Sequence, residues 1–395
     1  MSRERRSRGS QTGLVTLIAC VLLVALLIWF FWDRIPGLNG GAGPGSASKP
    51  GASPSPVAQG PYEIYFTTPT YPDRPENRHG GIDEKLVAFV DAATKSLDVA
   101  AYEFDLENVA RAMARAKARG VAIRMVTDSD TINATRDEVT QKALKIVKDA
   151  GITIVPDERQ PIMHDKFAVR DGEEIWTGSW NLTVGDTYRL NNNAVRMRSP
   201  ELARLYTQEF EQMFVQKKFG PSRPKGNPAP PVKVGEMQVQ VMFSPDNGIA
   251  QRLADRIKQA QSQVRFLAFS FTHDAMGQAV MDRARNRVSV AGVFEKTGSE
   301  TRFSEYGAMK QAGLEVYQDG NPYVMHHKVF VLDGRTTVFG SFNFSDGADK
   351  ENDENCVIVD DPGFASRYLE EVDRMLALAR NPTSVKATPE KELPR

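Results

Sequence analysis

Apolar and polar positions along the chain repeat the same series of helical and strand periods twice. In the first half, helices alternate with strands at residues 82–95, 96–104, 106–120, 121–128, 140–151 and 152–156. In the second half, the same order is predicted at residues 249–261, 263–271, 274–287, 288–295, 306–313 and 314–320. A helical pattern closes each half, at residues 201–214 and 364–376. Such alternation is typical of α/β sandwiches, so the sequence predicts two similar α/β domains related by a pseudo-twofold axis.

Residues 13–32 carry no charge over about the length that a helix needs to cross a bilayer. The stretch ends in WFFW, and aromatic residues are suited to the membrane interface. Residues 1–12 contain four arginines and one glutamate, and such an excess of basic residues stays on the cytoplasmic side. The pattern predicts a single-pass membrane protein with a cytoplasmic N-terminus and with its remaining domains on the extracytoplasmic side.

Shifts in composition divide the rest of the chain. Residues 33–61 are rich in Gly, Pro, Ser and Ala, which predicts a flexible linker. Residues 221–235 are rich in proline, which favours an extended connector between a first domain at residues 62–220 and a second at residues 236–380. The polar tail, residues 381–395, is predicted to be disordered.

The composition is that of an ordinary globular protein, with 41% of the 395 residues hydrophobic and 25% charged. The 50 basic and 50 acidic residues cancel, so no net field attracts nucleic acid or an anionic membrane surface. Two cysteines, Cys20 and Cys356, provide neither a disulfide framework nor the spacing of a metal site. With five histidines and no paired cysteines, we expect no zinc site and no cofactor.

One segment occurs twice in similar form, as MHDKFAVRDGEEIWTGSWN at residues 163–181 and as MHHKVFVLDGRTTVFGSFN at residues 325–343. Five polar residues recur at a constant offset of 162 positions: His164 and His326, Lys166 and Lys328, Asp171 and Asp333, Ser179 and Ser341, Asn181 and Asn343. Duplication of a strand–turn–strand unit for packing explains the apolar positions of the segment. Packing does not require the same polar residues in both copies, so the repeat indicates a site built from both halves.

Both copies alternate as strands do, so His164 and Lys166 share one face, and His326 and Lys328 share the equivalent face. His327 points to the opposite face, and we assign it no function. Other aromatic and histidine residues are interpreted as core or loop residues: Trp176, Trp180, Phe342, Phe344, His79 and His273.

The pattern H-x-K-x4-D followed by G-S-x-N, complete in both copies, resembles the phospholipase D superfamily. The resemblance covers residues 62–378. It implies two α/β domains whose motifs meet at one active site, within one chain, where a phosphodiester is cleaved without a metal ion. It also implies catalytic roles for His164, Lys166, Asn181, His326, Lys328 and Asn343. The remaining motif residues are interpreted as supports for these groups: Asp171, Ser179, Asp333 and Ser341.

The chemistry of phosphodiester cleavage explains why two copies are needed. Phosphorus requires a nucleophile on one side and an acid on the other to protonate the leaving oxygen, and two imidazoles can supply both. One motif contributes only one of these histidines. Two lysines and two asparagine amides can stabilise the charge on the nonbridging oxygens.

The two halves differ at one position after G-S-x-N, where Glu354 in the second half corresponds to Asn192 in the first. Family members often carry a carboxylate there that hydrogen-bonds a catalytic histidine, commonly the one of the other half. This pairing would join Glu354 to His164 and leave His326 with a neutral amide. A carboxylate favours the cationic ring and fixes its tautomer, so we predict that His164 is the nucleophile. Pairing within a half would reverse the roles.

The sequence leaves the substrate open. The predicted anchor at residues 13–32 narrowly favours a phospholipid head group, and therefore a hydrolase that releases phosphatidic acid. The short halves, without long lipid-binding insertions, resemble small bacterial endonucleases and favour nucleic acid. A cardiolipin synthase-like phosphatidyltransferase is a third alternative. An inactive membrane-tethered binding module is a fourth, and two intact motifs argue against it. No obligate protein partner is evident.

Overall fold

The computed structural model describes residues 60–134 and 137–382, and its strands form two mixed sheets. The strands of the first sheet are β1 (Tyr62–Phe66), β2 (Ser96–Ala101), β3 (Ala122–Thr127), β4 (Thr153–Pro156), β5 (Lys166–Arg170), β6 (Glu174–Gly178) and β7 (Asn193–Arg198). Their spatial order is β1-β7-β6-β5-β2-β3-β4. The neighbours β2, β3 and β4 pair in parallel, and the other neighbours pair antiparallel.

The second sheet repeats this topology. Its strands are β8 (Val232–Val234), β9 (Met237–Ser244), β10 (Gln263–Ala268), β11 (Ser289–Phe294), β12 (Glu315–Gln318), β13 (Lys328–Leu332), β14 (Thr336–Gly340) and β15 (Glu354–Asp360). The order β12-β11-β10-β13-β14-β15-β9-β8 matches the first sheet strand for strand, apart from the added edge strand β8. The prediction of two similar α/β domains is confirmed.

The helices connect the strands or cover the sheets. They are α1 (Ile82–Asp91), α2 (Glu107–Ala118), α3 (Ser129–Asn133), α4 (Glu138–Asp149), α5 (Val184–Tyr188), α6 (Pro200–Phe214), α7 (Ile249–Gln259), α8 (Asp274–Arg285), α9 (Lys296–Ser299), α10 (Glu305–Gln311), α11 (Asp346–Lys350) and α12 (Pro362–Arg380). The two long helices α6 and α12 begin alike, with a proline in the first turn. The side chains of Ser199 and Asp361 cap them by accepting backbone N–H bonds.

Three hydrophobic cores define the layers. Helices α1, α2 and α4 cover one face of the first sheet, and α7, α8 and α10 cover one face of the second. Helices α6 and α12 contribute Tyr206 and Tyr368 to a central core that contains apolar residues of both sheets. The motif strands β5 and β13 lie in the middle of their sheets and are buried on both faces. Their N-terminal ends are therefore held firmly in place.

Several elements differ from the sequence-based expectation. The strands β1 and β9 and the short helices α3 and α9 were not predicted. Strand β1 and both helices span five residues or fewer, which gives little periodic signal. Strand β9 does alternate apolar and polar residues, so its signal was present in the sequence. The proline-rich segment 221–235 contains β8, which pairs with β9, so its last part is a strand rather than an extended tether. The domain boundaries themselves stay a prediction.

Within residues 60–134 and 137–382, no helix is long and apolar enough to cross a membrane. The expected localisation as a single-pass protein is therefore wrong for the part of the chain that the structure describes. The segment on which it rested, residues 13–32, lies outside the described residues. So do residues 1–12, the linker up to residue 59 and the tail from residue 383.

Candidate active site

The two motif histidines lie just before the central strands β5 and β13 and make reciprocal contacts between the domains. The N–H of His164 donates to the carbonyl oxygen of Asp353 at 2.9 Å, and the N–H of His326 donates to that of Asn191 at 2.9 Å. Asp353 and Asn191 are equivalent positions of the two halves. The same contact is thus made in both directions, as a twofold arrangement requires. The motifs meet at one place within one chain.

Each motif histidine is buried and contacts the other domain through Nδ1. Nδ1 of His164 lies 2.7 Å from Oε2 of Glu354, and Nδ1 of His326 lies 2.9 Å from Oδ1 of Asn192. Only 4% of His164 and 6% of His326 is exposed. Because Nδ1 is engaged in both rings, Nε2 is the nitrogen left for a substrate. The structure therefore brings together the histidines and the partners that the sequence pattern suggested.

His326 has an additional neighbour that the sequence reasoning missed. Oδ1 of Asp186, in α5, lies 3.4 Å from Nδ1 of His326. The equivalent position in α11 is Ala348, so comparison of the two halves offered no signal for this carboxylate. The expectation that His326 is left with a neutral amide alone is corrected. The amide of Asn192 is present, and a carboxylate accompanies it.

Lys166 and Lys328 occupy the same position in the two domains and are almost fully buried. Nζ of Lys166 donates to the carbonyl oxygen of His164 at 2.7 Å, and Nζ of Lys328 donates to that of His326 at 2.8 Å. An ammonium has three N–H donors, so this bond leaves donors for a substrate. Burial lowers the pKa of Lys166 to about 8. Burial and the charge of Lys166 hold the pKa of Lys328 well below its usual value.

An aromatic ring supports the motif residues in each domain, and neither ring was predicted. The ring of Tyr102 lies 4.9 Å from that of His164, and Nζ of Lys166 lies 4.9 Å from the centre of the Tyr102 ring. Phe269 takes the same place in the second domain, 4.7 Å from the ring of His326. Cation–π attraction offsets part of the cost of burying the lysines. The signal available in the sequence was an aromatic residue at the end of two equivalent predicted strands.

The two motif asparagines are only partly used by the protein. Asn181 and Asn343 each have a buried amide oxygen without a hydrogen-bond partner in the described part of the chain. Nδ2 of Asn181 lies 3.4 Å from Oδ2 of Asp186. A buried polar group without a partner is costly in a folded protein, so these oxygens are open to a donor such as a substrate hydroxyl. The groups of each amide that can donate to a phosphate oxygen are the N–H bonds of Nδ2.

The glycine of each G-S-x-N element allows a close approach between neighbouring strands. A Cβ atom at Gly178 would lie 2.3 Å from the carbonyl oxygen of Asn193, and one at Gly340 would lie 2.4 Å from that of Asn355. Any side chain at these positions would therefore push β6 away from β7, or β14 away from β15. This packing places the residues that follow β6 and β14 next to the histidine partners.

The motif serines orient the residues beside the histidines. Oγ of Ser179 donates to Oδ1 of Asn192 at 2.8 Å and accepts the N–H of Asn193 at 3.1 Å. Oγ of Ser341 accepts the N–H of Asn355 at 3.0 Å. Both serines are fully buried against the neighbouring strand, in agreement with the supporting role expected from the sequence.

The motif aspartates lie away from the histidines and hold turns. Asp171 accepts backbone N–H bonds from Thr94, Lys95 and Ser96, at the turn before β2. Asp333 accepts three equivalent bonds at the turn before β10. Burial alone would raise the pKa of each carboxyl, but these bonds lower it. The supporting role of the two aspartates stays a prediction.

The residues on the opposite face of the motif strands connect the two domains. As expected, His327 points away from the other motif histidine. It is fully buried, with Nδ1 3.0 Å from Nδ2 of Asn193 and Nε2 2.8 Å from Oε1 of Glu371. The equivalent residue Asp165 accepts a bond of 2.8 Å from Nδ2 of Asn355. His327 therefore has structural contacts that its position in the sequence did not suggest.

The remaining candidates lie outside the site. The four aromatic residues beside the G-S-x-N elements belong to the outer cores, which confirms their interpretation as core residues: Trp176, Trp180, Phe342 and Phe344. His79 is exposed. Nε2 of His273 lies 3.7 Å from a carboxylate oxygen of Asp346, an exposed residue of α11. Neither histidine contacts the motif residues.

The charges of the two motif lysines affect the pKa values of both motif histidines. Burial lowers the pKa of His164 well below its usual value and that of His326 to about 3, and both lysines lower them further. Both rings are therefore neutral without substrate. Burial raises the pKa of Glu354 to about 8. Burial would also raise the pKa of Asp186, but the hydrogen bond from His326 and bonds from nearby residues lower it.

A cavity of about 760 Å³ is lined by Tyr102 and Asp186, which contact the rings of His164 and His326, but by none of the motif histidines, lysines or asparagines. Carboxylates line much of it: Glu103, Asp105, Asp130, Asp137 and Asp186. Even so, no group of three or more His, Cys, Asp or Glu in residues 60–134 and 137–382 is arranged to hold a metal ion.

The model of the family described as "Cardiolipin synthase, PLD-like domain" matches residues 86–214 and 253–376, one stretch in each domain and together more than half of the chain. The chain belongs to the phospholipase D superfamily. The resemblance of its two motifs to this superfamily is thereby confirmed, and so is the expected class of enzyme. This phospholipase D superfamily member is a phosphodiester hydrolase.

Relatives of this superfamily member match parts of it. The phospholipase D of Rickettsia bellii (strain RML369-C) is 28% identical over 138 residues, which cover 35% of this chain and 69% of that protein. The mitochondrial cardiolipin hydrolase of Xenopus tropicalis is 31% identical over 130 residues, which cover 33% of this chain and 60% of that protein. The phosphatidylserine synthase of Haemophilus influenzae Rd KW20 shares the fold, with a TM-score of 0.58, 13% identity and coverage of 80% of this chain and 86% of that one.

Proposed function

We propose that this enzyme hydrolyses phospholipids and releases phosphatidic acid, through a covalent phosphohistidine and without a metal ion. The observation that carries the proposal is the pair of buried histidines whose Nδ1 atoms contact the other domain, His164 at Glu354 and His326 at Asn192. Two Nε2 atoms are thereby left beside two buried ammonium groups. This arrangement supports a nucleophile and an acid acting on one phosphate.

In the first step, Nε2 of His164 attacks phosphorus. A P–N bond forms, the bond from phosphorus to the head-group oxygen breaks, and His326 donates its Nε2 proton to that oxygen. Lys166 and Lys328, with the amides of the two motif asparagines, stabilise the charge that develops on the nonbridging oxygens. The head group leaves as a neutral alcohol.

In the second step, water attacks phosphorus opposite to His164. Nε2 of His326 accepts a proton from this water, the P–N bond breaks, and its electron pair returns to Nε2 of His164. Phosphatidic acid leaves, and His326 again holds the proton with which it began. All atoms and protons are accounted for, and no further reactant is needed.

The two histidines differ in ways that support this assignment of roles. When Nε2 of His164 bonds to phosphorus, its ring becomes cationic, and the Glu354 carboxylate stabilises that charge through Nδ1–H. His326 must hold a proton before the first step, although its pKa is low without substrate. A bound phosphodiester carries a negative charge that offsets the two lysines, so substrate binding itself favours the protonated ring.

Two observations support a phospholipid over a nucleic acid. The Rickettsia relatives are named phospholipase D, and the Xenopus relative is named cardiolipin hydrolase. The cavity that Tyr102 and Asp186 line carries five carboxylates and one guanidinium, that of Arg189, although burial raises the pKa of Glu103 and of Asp105 to about 7. A nucleic acid carries a charge on every phosphate, so neighbouring phosphates would be repelled from such a cavity, whereas phosphatidylcholine brings a single phosphodiester in a zwitterion and cardiolipin brings only two phosphodiesters.

The test is an assay of the full chain on vesicles of phosphatidylcholine, on vesicles of cardiolipin and on single-stranded DNA, with and without EDTA. We expect phosphatidic acid from at least one lipid, intact DNA, no effect of EDTA, and no product with His164→Ala. Cleavage of DNA with intact lipids would instead make the enzyme an endonuclease.

The same assay decides the remaining alternatives. Activity that EDTA removes and zinc or magnesium restores would overturn the metal-independent mechanism. A predominant phosphatidyl-alcohol product, when a primary alcohol is added, would indicate a transferase. Failure to cleave any of the three substrates, with the protein folded, would favour a binding module.

A further inference from the structure

The two domains carry their carboxylates at different positions near the site. Helix α5 has Asp186 where α11 has Ala348. Six positions further along, the first domain has Asn192 where the second has Glu354. At these two aligned positions, each domain therefore has one carboxylate. In the second domain this carboxylate is Glu354, which pairs with His164. In the first domain it is Asp186, which lies in the short helix α5.

The side chain of Asp186 is buried and well bonded. Its Oδ1 lies 3.4 Å from Nδ1 of His326 and accepts the N–H of Asn181 at 3.1 Å and Nδ2 of Asn192 at 3.0 Å. Its Oδ2 accepts Oγ1 of Thr183 at 2.9 Å. A buried carboxylate keeps its charge only when such bonds compensate for lost water. Asp186 therefore holds a negative charge beside the ring of His326.

We propose that Asp186 replaces the glutamate that is missing at position 192 and acts through His326 as the residue that positions and charges the general acid. The proposal rests on the proposed function, in which His326 protonates the leaving oxygen. The repeated motif does not suggest this role for Asp186, because the equivalent residue of the second domain is Ala348.

The hydrogen-bond network explains how Asp186 orients the ring. Nδ2 of Asn192 donates to the carboxylate of Asp186 at 3.0 Å and to its carbonyl oxygen at 3.2 Å. The amide oxygen of Asn192 must therefore face His326. An amide oxygen only accepts hydrogen bonds, so Nδ1 of His326 carries a hydrogen. The other ring nitrogen, Nε2, is thereby directed to the phosphate.

The charges around His326 explain why a neutral amide is not sufficient. Lys166 and Lys328 both disfavour a cationic ring. Glu103 and Glu354 raise the pKa values of these lysines, and so help to keep both lysines cationic. Within the described residues, Asp186 is the carboxylate that lies within 4.0 Å of this ring. Its charge is therefore what allows the ring to hold the proton that the leaving oxygen needs.

The first test is Asp186→Asn, which keeps the size of the side chain and removes its charge. Two substrates are compared: bis(p-nitrophenyl) phosphate, and whichever of phosphatidylcholine vesicles, cardiolipin vesicles and single-stranded DNA the wild type cleaves. The phospholipids and DNA release an alcohol whose oxygen must be protonated, whereas p-nitrophenolate leaves without an acid. We expect kcat on the alcohol-releasing substrate to fall about a hundredfold with little change in KM. First-turnover release of p-nitrophenolate should stay within a few-fold of wild type.

A pH profile separates this effect from a structural defect. The alkaline fall of kcat on the alcohol-releasing substrate reports loss of the acid's proton in the enzyme–substrate complex. In Asp186→Asn this fall should move to lower pH, because His326 holds its proton less tightly. A merely structural role would lower the whole profile without moving it.

A swap variant provides the rescue. Asp186→Ala should lose the same activity, and Asp186→Ala with Asn192→Glu reproduces the Ala348 and Glu354 combination of the other domain. We expect the double variant to recover at least tenfold over the single one. The matched control is Asp346→Asn, which removes an exposed carboxylate from the equivalent helix α11 and should behave as wild type.

The outcomes are distinct. Equal losses on both substrates, an unchanged activity on the alcohol-releasing substrate, or no rescue in a folded double variant would each overturn the role of Asp186. If Asp186→Asn fails to fold, the swap variant decides alone. A wild type that cleaves neither lipid, nor DNA, nor bis(p-nitrophenyl) phosphate overturns the proposed function, and the role of Asp186 with it.

Discussion

Oε2 of Glu354 lies 2.7 Å from Nδ1 of His164, although the two residues are 190 positions apart and belong to different domains. The partner of His326 likewise comes from the other domain, at Asn192. Neither domain can therefore complete the surroundings of its own histidine. This exchange of partners gives a physical reason for the repeated motif: each copy supplies one histidine and the support for the other.

Replacement of either motif histidine is expected to abolish turnover while leaving the fold intact. His164→Ala removes the nucleophile and His326→Ala removes the acid, so each should lower kcat by at least about 10³-fold on phospholipid vesicles. Melting curves and circular dichroism serve as controls for folding. Activity near the wild-type level in either variant would contradict a site shared by the two domains.

The covalent intermediate should form on His164. In His326→Ala, bis(p-nitrophenyl) phosphate can still phosphorylate His164, because p-nitrophenolate leaves as a stable anion. Release should be slow, since the same variant lacks the base that activates water. Quenched reactions, digested and examined by mass spectrometry, should show the adduct on the peptide that contains His164.

His164→Ala is the matched control for this experiment and should yield no adduct, because no other group replaces the attacking nitrogen. An adduct on His326 instead would reverse the two roles. It would also mean that the pairing of His164 with Glu354 does not mark the nucleophile.

The rate of phosphorylation should depend on the proton held by Glu354, whose pKa burial raises to about 8. Below that pH the protonated carboxyl donates to Nδ1 of His164, the ring keeps its own hydrogen on Nε2, and no lone pair is free to attack. First-turnover rates on bis(p-nitrophenyl) phosphate should therefore rise about tenfold per pH unit up to about pH 8. Loss of the charge of Lys166, whose pKa is also about 8, should turn the profile downward above it.

Glu354→Gln tests the assignment of the rising limb. The glutamine amide oxygen accepts Nδ1–H at every pH, so the acid limb should disappear and the alkaline fall should remain. A rising limb that persists unchanged in this variant would assign it to another group.

The motif aspartates should contribute to stability and not to turnover. Asp171→Asn or Asp333→Asn weakens three backbone hydrogen bonds to a turn, and their partial exposure limits the expected loss to about 1–2 kcal/mol in the free energy of unfolding. Asparagine tolerates the positive φ of 56° at Asp171 and 54° at Asp333. Urea unfolding measures the loss, and kcat should stay at the wild-type level.

The sign of the pH dependence follows from the lowered pKa of both aspartates. Each carboxylate stabilises the fold above its ordinary pKa of 3.8, and the contribution is lost as the pH falls through the lower value of the folded state. The difference between wild type and variant should therefore shrink at acid pH. A difference that grows there would contradict the assigned role.

Local patterns were sufficient for the elements that carry the motifs. The helical period predicted residues 106–120, and α2 spans Glu107–Ala118; the period at residues 364–376 lies within α12, Pro362–Arg380. Strand alternation also placed His164 and Lys166 on one face and His327 on the other. These features depend on neighbouring residues, so the chain encodes them locally.

Elements whose partners are remote were missed or misplaced. Strand β1 pairs with β7, more than a hundred residues later, and β8 is a strand because β9 lies beside it, despite the prolines before it. The long apolar segment at residues 13–32 led to a localisation that the described domains do not support. Tyr102 and Asp186 were likewise missed, because their contacts with the motif histidines arise only when distant segments come together.

The sequence by itself determined the family, the repeat and the residues that can perform the chemistry, because these depend on residue type and spacing alone. Only the tertiary structure decided which groups contact Nδ1 of each histidine: Glu354 for His164, and Asn192 with Asp186 for His326. The physical reason is that a hydrogen bond depends on distance and direction. Between segments of different domains, these are set by how the two sheets and their helices pack, which no local pattern encodes.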